Sequence, residues 1–428
     1  MNLVERDKKV VWHPFTQVKT ERPPIPIVKA QDSLLYDEKG NTYIDCNSSW
    51  WVNVHGHGCP QILEAIQKQF LEIDHVLLAG VTHPKAVELA EKVIDFLPKG
   101  FEKVFYSDNG STAVEVALKM VMQYWYNQDI SKKRILALEG AYHGDTFGAM
   151  SMGERGYFNK PFEDFFFEAD FLPFPTAQNE KDVLEKARLL FETKTFAGLI
   201  VEPLVQGSAG MRMYSATFLN QLMKLAKEHD VIIIFDEVMT GWGRTGKRFA
   251  MNYCDELPDI VCLSKGLTGG VLPLGLTVTH NKIFDAFKHE EKTKALLHGH
   301  SYTGNALACA AACASIDLFL TAKSEEDIQR ITVQQESAKK RFLNHKAVST
   351  ARSLGTILAI EVKQEEESSY FSSIREKALA FFLENGMLLR PLGNVLFLNP
   401  PYCTKNEQLG YCYDKMEAFL DSLLENID

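Results

Sequence analysis

Short apolar runs of strand length recur through the middle of the chain, and they constrain its fold more than any other feature. RILALEG, FAGLIVEP, VIIIFDEV, DIVCLSK and LGLTVT are nearly continuous in apolar residues. Strands that are buried on both faces read in this way, as in parallel sheets covered by helices. Helical patterns lie between the runs, with Val114, Leu118 and Val121 at helical spacing. This alternation predicts an α/β fold with a mostly parallel central sheet.

The two ends of the chain differ from the middle. Residues 1–55 contain hairpin-like pieces such as SLLYDEKGNTYIDC, and residues 319–428 mix charged helical patterns with TILAIEV and VLFLNPP. A chain of 428 residues is long enough for two domains. We therefore predict a large domain over residues 56–318 and a smaller α+β domain that residues 1–55 and 319–428 form jointly.

Composition and charge exclude several classes of function. The net charge of -10 opposes binding to nucleic acid, which usually requires a basic face. No run of 18 apolar residues occurs, so we expect no membrane span. The N-terminal MNLVERDKKVVWHPF lacks the apolar core of a signal peptide, and the eight cysteines contain no CxxC pair. We expect a cytoplasmic protein with reduced, buried thiols and no metal site.

Two polar stretches follow predicted strands at their carboxyl ends, where open parallel sheets bind ligands. In SDNGST, Gly110 and Ser111 would present backbone N–H groups to a phosphate at a helix N-terminus, although a plain N-cap turn reads the same way. VIIIFDEV ends in Asp236, followed by Glu237. A carboxylate buried there needs a cation or hydrogen bonds, whereas a solvated strand end would need neither.

Two further stretches contribute an aromatic residue and a lysine. EGAYHGDTFGAMS places Tyr142, His143 and Asp145 in a glycine-rich loop, where a tyrosine either stacks on a flat ligand or simply packs. Lys265 ends DIVCLSK, and an apolar setting can lower the pKa of a lysine enough to make it a nucleophile. A phosphate cradle, a carboxylate, a stacking aromatic and a reactive lysine together predict a pyridoxal 5′-phosphate site.

The glycine pattern GWGRTG at 241–246 offers a competing interpretation as a dinucleotide site. Its first glycine lies some residues beyond the strand rather than at its edge. The acidic residue of the dinucleotide fold ends the second strand, whereas Asp259 begins one. The pattern therefore does not favour nicotinamide binding.

Six stretches in order resemble the class III aminotransferases of PLP fold type I over nearly the whole chain: SDNGSTAVEVALKM, AYHGDTFGAMS, IVEPLVQGSAGM, IFDEVMTGWGRTG, LSKGLTGG and HGHSYTGNALACAAA. The resemblance implies that Lys265 is the catalytic lysine, bound covalently to pyridoxal 5′-phosphate. It implies that Asp236 pairs with the ring nitrogen and that Tyr142 stacks on the ring, beside the substrate. Gly110 and Ser111 would then bind the phosphate.

The stretch HGHSYTGN resembles the family segment that reaches the cofactor phosphate from the other subunit. The resemblance therefore implies a homodimer with shared active sites. It assigns His300 and Ser301 to the cofactor and Gly299 to the substrate. The family usually has threonine where this chain has Ser301, and a serine hydroxyl can make the same hydrogen bond.

Three other stretches, WHPFTQ, NSSWWVNVHGHGCP and LLRPLGNVLFLNPPY, are similar to one branch of this family. That branch converts 8-amino-7-oxononanoate to 7,8-diaminononanoate in biotin biosynthesis, with S-adenosylmethionine as amino donor. The similarity implies that Trp50 lines the substrate pocket and that Arg390 holds the substrate carboxylate, a task suited to a guanidinium. It also implies that Arg244 lies near the donor, and that Phe15 occupies a pocket position where the family has tyrosine.

Several alternatives stay open at the level of sequence. Trp50 and Trp51 would also suit ordinary core packing, and Arg244 would suit a structural ion pair. Because Phe15 lacks the family's hydroxyl, lysine is an alternative amino donor. The chain would also fit another class III ω-amino acid transaminase. A protein on this scaffold that binds the cofactor without transaminating, an aminomutase or a decarboxylase also fits.

Overall fold

The computed structural model describes residues 1–364 and 372–425 of the chain. Short 3₁₀ turns cover Lys160–Phe165, Ala250–Tyr253, Lys265–Thr268 and Lys292–Lys294. The α-helices in the described ranges are α1 (Leu3–Val10), α2 (Ser48–Trp51), α3 (Pro60–Glu72), α4 (Pro84–Phe96), α5 (Gly110–Asn127), α6 (Phe147–Ser151), α7 (Glu180–Glu192), α8 (Ala216–Glu228), α9 (Asn281–Asp285), α10 (Ala306–Phe319), α11 (Ala322–Leu343), α12 (Ser373–Glu384) and α13 (Asn406–Leu424).

The strands follow the apolar runs closely; KVFYS, for example, forms one complete strand. The β-strands in the same ranges are β1 (Ile27–Gln31), β2 (Leu34–Asp37), β3 (Thr42–Asp45), β4 (Lys103–Ser107), β5 (Arg134–Leu138), β6 (Asp170–Leu172), β7 (Phe196–Val201), β8 (Val205–Gln206), β9 (Arg212–Met213), β10 (Ile232–Asp236), β11 (Ile260–Leu263), β12 (Gly275–Thr279), β13 (Val348–Leu354), β14 (Ile357–Val362), β15 (Met387–Leu388) and β16 (Val395–Leu398).

Seven strands form the central sheet in the order β4–β12–β11–β10–β7–β5–β6. Neighbouring strands are parallel except at β12, which is antiparallel to both β11 and β4. The predicted α/β fold with a mostly parallel sheet is confirmed. β7, β10 and β11 are buried along their whole length, which explains why their sequences are continuous apolar runs. The three strands also end at one edge of the sheet, since Val201 pairs with Phe235 and Asp236 with Cys262.

A second sheet combines the two ends of the chain in the order β1–β2–β3–β15. β2 and β3 form the predicted hairpin, with Leu34 opposite Ile44. β15, from the C-terminal part, lies parallel to β3 and pairs Met387 with Ile44. β13, β14 and β16 form a separate antiparallel sheet. Segments from both ends therefore share one sheet, as predicted, while the bounds 1–55, 56–318 and 319–428 remain a prediction.

Two further observations concern the class of protein. Within the described ranges no single helix combines the length and hydropathy needed to cross a membrane; only α10 and α11 taken together meet that test, and they are bent by 71°. All eight cysteines are free thiols, as the sequence predicts, and five of them are buried: Cys46, Cys262, Cys309, Cys313 and Cys412.

Candidate active site

Lys265 lies just beyond the end of β11, in the left-handed backbone region with a φ of 48°. A lysine rarely adopts this conformation unless its surroundings hold it there. Its Nζ lies 4.5 Å from the centre of the Trp51 ring. Burial lowers the pKa of Lys265 to about 8, against the opposing charges of Asp236 and Glu202. The amine is therefore partly neutral near neutral pH and can act as a nucleophile.

Asp236 ends the neighbouring strand β10 and is buried. Its Oδ2 lies 2.7 Å from Nδ1 of His143, and its Oδ1 accepts a hydrogen bond from the Val238 N–H at 3.1 Å. Because a carboxylate only accepts, Nδ1 of His143 carries the proton. These contacts answer the question that the sequence raised: the carboxylate is not a solvated strand end but is held in place by hydrogen bonds.

Glu202 is a third polar residue at this sheet edge, directly after β7. Its two carboxyl oxygens accept hydrogen bonds from the N–H groups of Tyr142 at 3.0 Å and Gly207 at 2.9 Å. Burial raises the pKa of Glu202 to about 7. Glu202 lies within the stretch IVEPLVQGSAGM but was not among the predicted site residues. The signal was the one used for Asp236, a carboxylate at the end of a continuous apolar run.

The N-terminus of α5 supplies the predicted phosphate cradle. Asn109 caps the helix, and its Oδ1 accepts a hydrogen bond from the Thr112 N–H at 2.9 Å. The N–H groups of Gly110 and Ser111 belong to the first turn, where a helix offers them no partner. A Cβ on Gly110 would come within 2.7 Å of Cγ1 of Val238, so this position requires glycine. Val238 in turn follows Asp236, which brings the helix N-terminus close to the end of β10.

Tyr142 and its loop complete this part of the site. Tyr142 is 36% exposed, so one part of its ring is accessible to a ligand. Burial raises the pKa of its phenol, and the neighbouring carboxylate of Asp145 adds to the rise. The Asp145 N–H donates to Oγ of Ser111 at 3.1 Å and so joins this loop to α5. An anion cradle, an accessible aromatic ring, a fixed carboxylate and a partly neutral amine fit pyridoxal phosphate, whose phosphate, ring and ring nitrogen require those groups.

Three predicted substrate residues from distant parts of the chain lie together. The ring centres of Phe15 and Trp50 are 5.4 Å apart, and Cζ of Arg390 lies 5.3 Å from the centre of the Trp50 ring. Trp50 is 46% exposed, which excludes ordinary core packing for it. The backbone N–H of Arg390 donates to Oδ1 of Asn47 at 2.8 Å. This hydrogen bond connects the C-terminal strand region to the segment just before Trp50 and Trp51. We call Phe15, Trp50 and Arg390 the aromatic–arginine cluster.

The structure adds two aromatic residues that the sequence analysis did not assign to the site. Trp51 is buried and its ring faces the Lys265 amine. Phe158 lies with its ring centre 5.8 Å from that of Phe15, in an edge-to-face arrangement. Phe158 has no sequence signal of its own, because only its neighbours in space identify it. For Trp51 the burial agrees with the core packing that the sequence left open.

Arg244 lies in a different setting from the one its predicted role at the donor requires. It is 1% exposed, and its guanidinium donates to the carbonyl groups of Pro400 at 2.7 Å, Asn399 at 3.4 Å and Trp51 at 3.4 Å. Burial lowers its pKa. These contacts join the segment after β10 to the C-terminal region and to Trp51. A role for Arg244 at the donor stays a prediction.

The stretch with Gly299, His300 and Ser301 lies apart from these contacts. Gly299 and Ser301 are exposed and His300 is half-buried. The carbonyl oxygen of Ser301 lies 2.7 Å from Nε2 of His75, and the His300 N–H donates to Oγ1 of Thr303 at 3.0 Å. The predicted roles of these three residues concern another subunit and stay predictions.

Comparison with known proteins agrees with this architecture. Residues 15–420 match the family Aminotransferase class-III. The adenosylmethionine-8-amino-7-oxononanoate aminotransferase of Synechococcus elongatus is 43% identical over 421 residues, which cover 96% of this chain and 99% of that relative. The protein of the same name from Helicobacter pylori is 37% identical and covers 99% of this chain and 98% of its own. The crystal structure of the Methanocaldococcus jannaschii protein of that name has a TM-score of 0.93 at 35% identity, with 98% of each chain covered. The chain belongs to the class III aminotransferases.

Proposed function

We propose that this protein is a pyridoxal 5′-phosphate-dependent transaminase that converts 8-amino-7-oxononanoate to 7,8-diaminononanoate in biotin biosynthesis, with S-adenosylmethionine as amino donor. The aromatic–arginine cluster carries the proposal. A long-chain keto acid needs an apolar wall for its chain and a cation for its carboxylate, and Trp50 and Arg390 offer both. The neighbouring Trp51 faces the Lys265 amine, so the cluster adjoins the reactive group. The names of the relatives support the same reaction.

Four groups of this chain would hold the cofactor. Bound here, pyridoxal phosphate supplies an electron sink for the charge that develops when a proton leaves the substrate carbon. The N–H groups of Gly110 and Ser111 would bind its phosphate, and Tyr142 would cover its ring. Asp236, oriented by His143, would keep the ring nitrogen protonated.

Lys265 performs the proton transfer in this proposal. Nζ of Lys265 would accept the proton that leaves the reacting carbon and return it within the same pocket. A group with a pKa of about 8 is well matched to this task near neutral pH. The two substrates occupy one pocket in turn, so we expect ping-pong kinetics.

The proposal includes a homodimer in which His300 and Ser301 of one subunit reach the cofactor of the other, with Gly299 at the substrate. The exposure of Gly299 and Ser301 supports it, because such a segment is accessible to a second chain. Free thiols at all eight cysteines support the cytoplasm as the place of action.

A donor panel tests the reaction. Cofactor-loaded protein is incubated with 8-amino-7-oxononanoate and either S-adenosylmethionine, lysine or another ω-amino acid, and 7,8-diaminononanoate is measured by mass spectrometry. We expect product with S-adenosylmethionine, and none from the matched Lys265→Ala variant. If only lysine gives product, lysine takes the place of S-adenosylmethionine as the amino donor. The missing hydroxyl at Phe15 is the specific reason for testing lysine. Absence of product with every donor, together with turnover of other keto acids, would overturn the assignment.

A further inference from the structure

Two histidines hold the stretch 299–304, which we call the phosphate arm. Nε2 of His75 lies 2.7 Å from the carbonyl oxygen of Ser301, and Nε2 of His83 lies 2.7 Å from that of Gly304. Both histidines belong to the connection between α3 and α4, one near each end of it. The arm is therefore fixed to its own subunit at two backbone carbonyls.

The hydrogen-bond pattern determines which nitrogen of His75 carries the proton. Oδ1 of Asn305 accepts from the Ala308 N–H at 3.0 Å, as the N-cap of α10, so the amide Nδ2 is on the other side. That Nδ2 lies 3.5 Å from Nδ1 of His75 and can only donate. Nδ1 of His75 is then the acceptor, and its Nε2–H donates to the Ser301 carbonyl. The start of α10 thus orients His75 through Asn305.

His83 shows the same arrangement at the other end of the arm. Its Nδ1 accepts from the Ala86 N–H at 3.2 Å, as the N-cap of α4, which leaves Nε2–H to donate to Gly304. Gly304 has a φ of 67°, and a Cβ there would lie 2.8 Å from Cδ2 of Leu78. His83 is buried and also caps a helix, whereas His75 is half-buried and makes no cap. His75 is therefore the residue whose effect on the arm can be tested separately from stability.

We propose that His75 is a positioning residue for the cofactor phosphate of the partner subunit: by holding the Ser301 carbonyl, it sets the direction of the Ser301 hydroxyl. This inference rests on the proposed function, in which Ser301 reaches that phosphate. Loss of a neutral hydrogen bond that orients a ligand-binding residue weakens binding by up to about tenfold. His75 contacts the Ser301 carbonyl and the Tyr302 ring, both within the arm. We therefore expect its effect on ligands that carry the phosphate.

Cofactor affinity gives a test without turnover. Dissociation constants of cofactor-free protein are measured for pyridoxal phosphate and for pyridoxal, which lacks the phosphate, in His75→Ala, His75→Gln and the exposed-histidine control His289→Ala. We expect His75→Ala to weaken the binding of pyridoxal phosphate by about tenfold and the binding of pyridoxal by less than about twofold. His289→Ala should change neither dissociation constant. His75→Gln should restore most of the loss, because its amide N–H can replace Nε2–H. An equal loss for both ligands, or no loss for either, would overturn the proposal.

Ser301→Ala separates this inference from the proposed function. If Ser301→Ala weakens the binding of pyridoxal phosphate while His75→Ala does not, His75 has no positioning role and the proposed function stands. If neither change weakens it, the phosphate role of Ser301 fails together with that of His75, while the transaminase assay above still decides the reaction.

Mixed dimers test whether His75 acts across the interface. When Lys265→Ala subunits pair with His75→Ala subunits, the only site with Lys265 lies in the His75→Ala subunit. That site receives an intact arm from its partner and should retain the cofactor normally. When wild-type subunits pair with subunits that carry both changes, the only site with Lys265 lies in the wild-type subunit. That site receives the altered arm from its partner and should lose the cofactor about tenfold more readily. The reverse pattern would show that His75 acts within its own subunit, against the proposal.

Discussion

Nδ1 of His143 lies 2.7 Å from Oδ2 of Asp236, and both side chains are buried. The histidine comes from the loop after β5 and the aspartate ends β10, so the pair links that loop to the end of a strand at one edge of the sheet. A buried carboxylate held in this way keeps one orientation, which a protonated ring nitrogen requires of its partner.

Replacing Asp236 by asparagine should leave the cofactor bound and slow catalysis by about two powers of ten, roughly 3 kcal/mol of barrier. An amide cannot stabilise a protonated ring nitrogen, so the electron sink becomes weaker. Single-turnover rates of cofactor-loaded protein measure the effect, with cofactor content verified by absorbance. A near-normal rate in Asp236→Asn would rule out the role of this carboxylate.

Covalent capture of pyridoxal phosphate by the cofactor-free protein should depend on pH through Lys265. Burial lowers the pKa of Lys265 from its ordinary value of 10.5 to about 8, so the amine is protonated well below pH 8 and neutral above it. The rate of capture should therefore rise with pH, with a midpoint near 8. Stopped-flow absorbance follows the rate, and borohydride reduction followed by peptide mapping should place the label on Lys265. A midpoint near 10.5, or a label on another lysine, would contradict the assignment.

Glu202 should make the cofactor-free protein less stable as the pH rises. Burial raises the pKa of Glu202 from 4.5 to about 7, so the folded protein holds a proton here that the unfolded chain releases at lower pH. This contribution to the free energy of unfolding is fully present below pH 4.5 and is lost as the pH rises through 7. Glu202→Gln removes the charge and keeps one of the two acceptor oxygens that face the Tyr142 and Gly207 N–H groups. Its melting temperature relative to the parent should increase between about pH 4.5 and pH 7 and then level off.

The control for this measurement is Glu228→Gln, at an exposed glutamate near the end of α8. It should show no such trend relative to the parent. A constant difference in melting temperature between Glu202→Gln and the parent at all pH values would mean that folding does not raise the pKa of Glu202, against this prediction.

Arg390→Ala should raise the free-energy barrier for the reaction with the keto acid by about 2–4 kcal/mol, as for removing one partner of a buried charge pair. The substrate carboxylate would then lie unpaired beside Trp50. Stopped-flow spectra of the two half-reactions separate the substrates, and we expect the loss mainly with 8-amino-7-oxononanoate. A loss confined to the amino donor would mean that Arg390 binds the donor and that the pocket runs the other way.

The sequence by itself determined which segments form the central strands and which polar residues lie at their carboxyl ends. β7, β10 and β11 are predictable because a strand covered on both faces must be apolar along its length. Lys265 and Asp236 follow such strands, and parallel strands bring their carboxyl ends to the same edge. Gly110 was predictable for a local reason, since a helix N-terminus presents free N–H groups whatever surrounds it.

Only the tertiary structure decided how distant stretches meet. Phe15, Trp50 and Arg390 are separated by up to several hundred residues, and nothing local to them predicts a ring distance of 5.4 Å or a cation 5.3 Å from a ring. The setting of Arg244 depends in the same way on carbonyl groups of Asn399 and Pro400. Hydrophobic periodicity specifies which face of an element is buried but not which element covers it, because burial of apolar area has no direction. Packing of the two ends of the chain against the segment between them makes that choice.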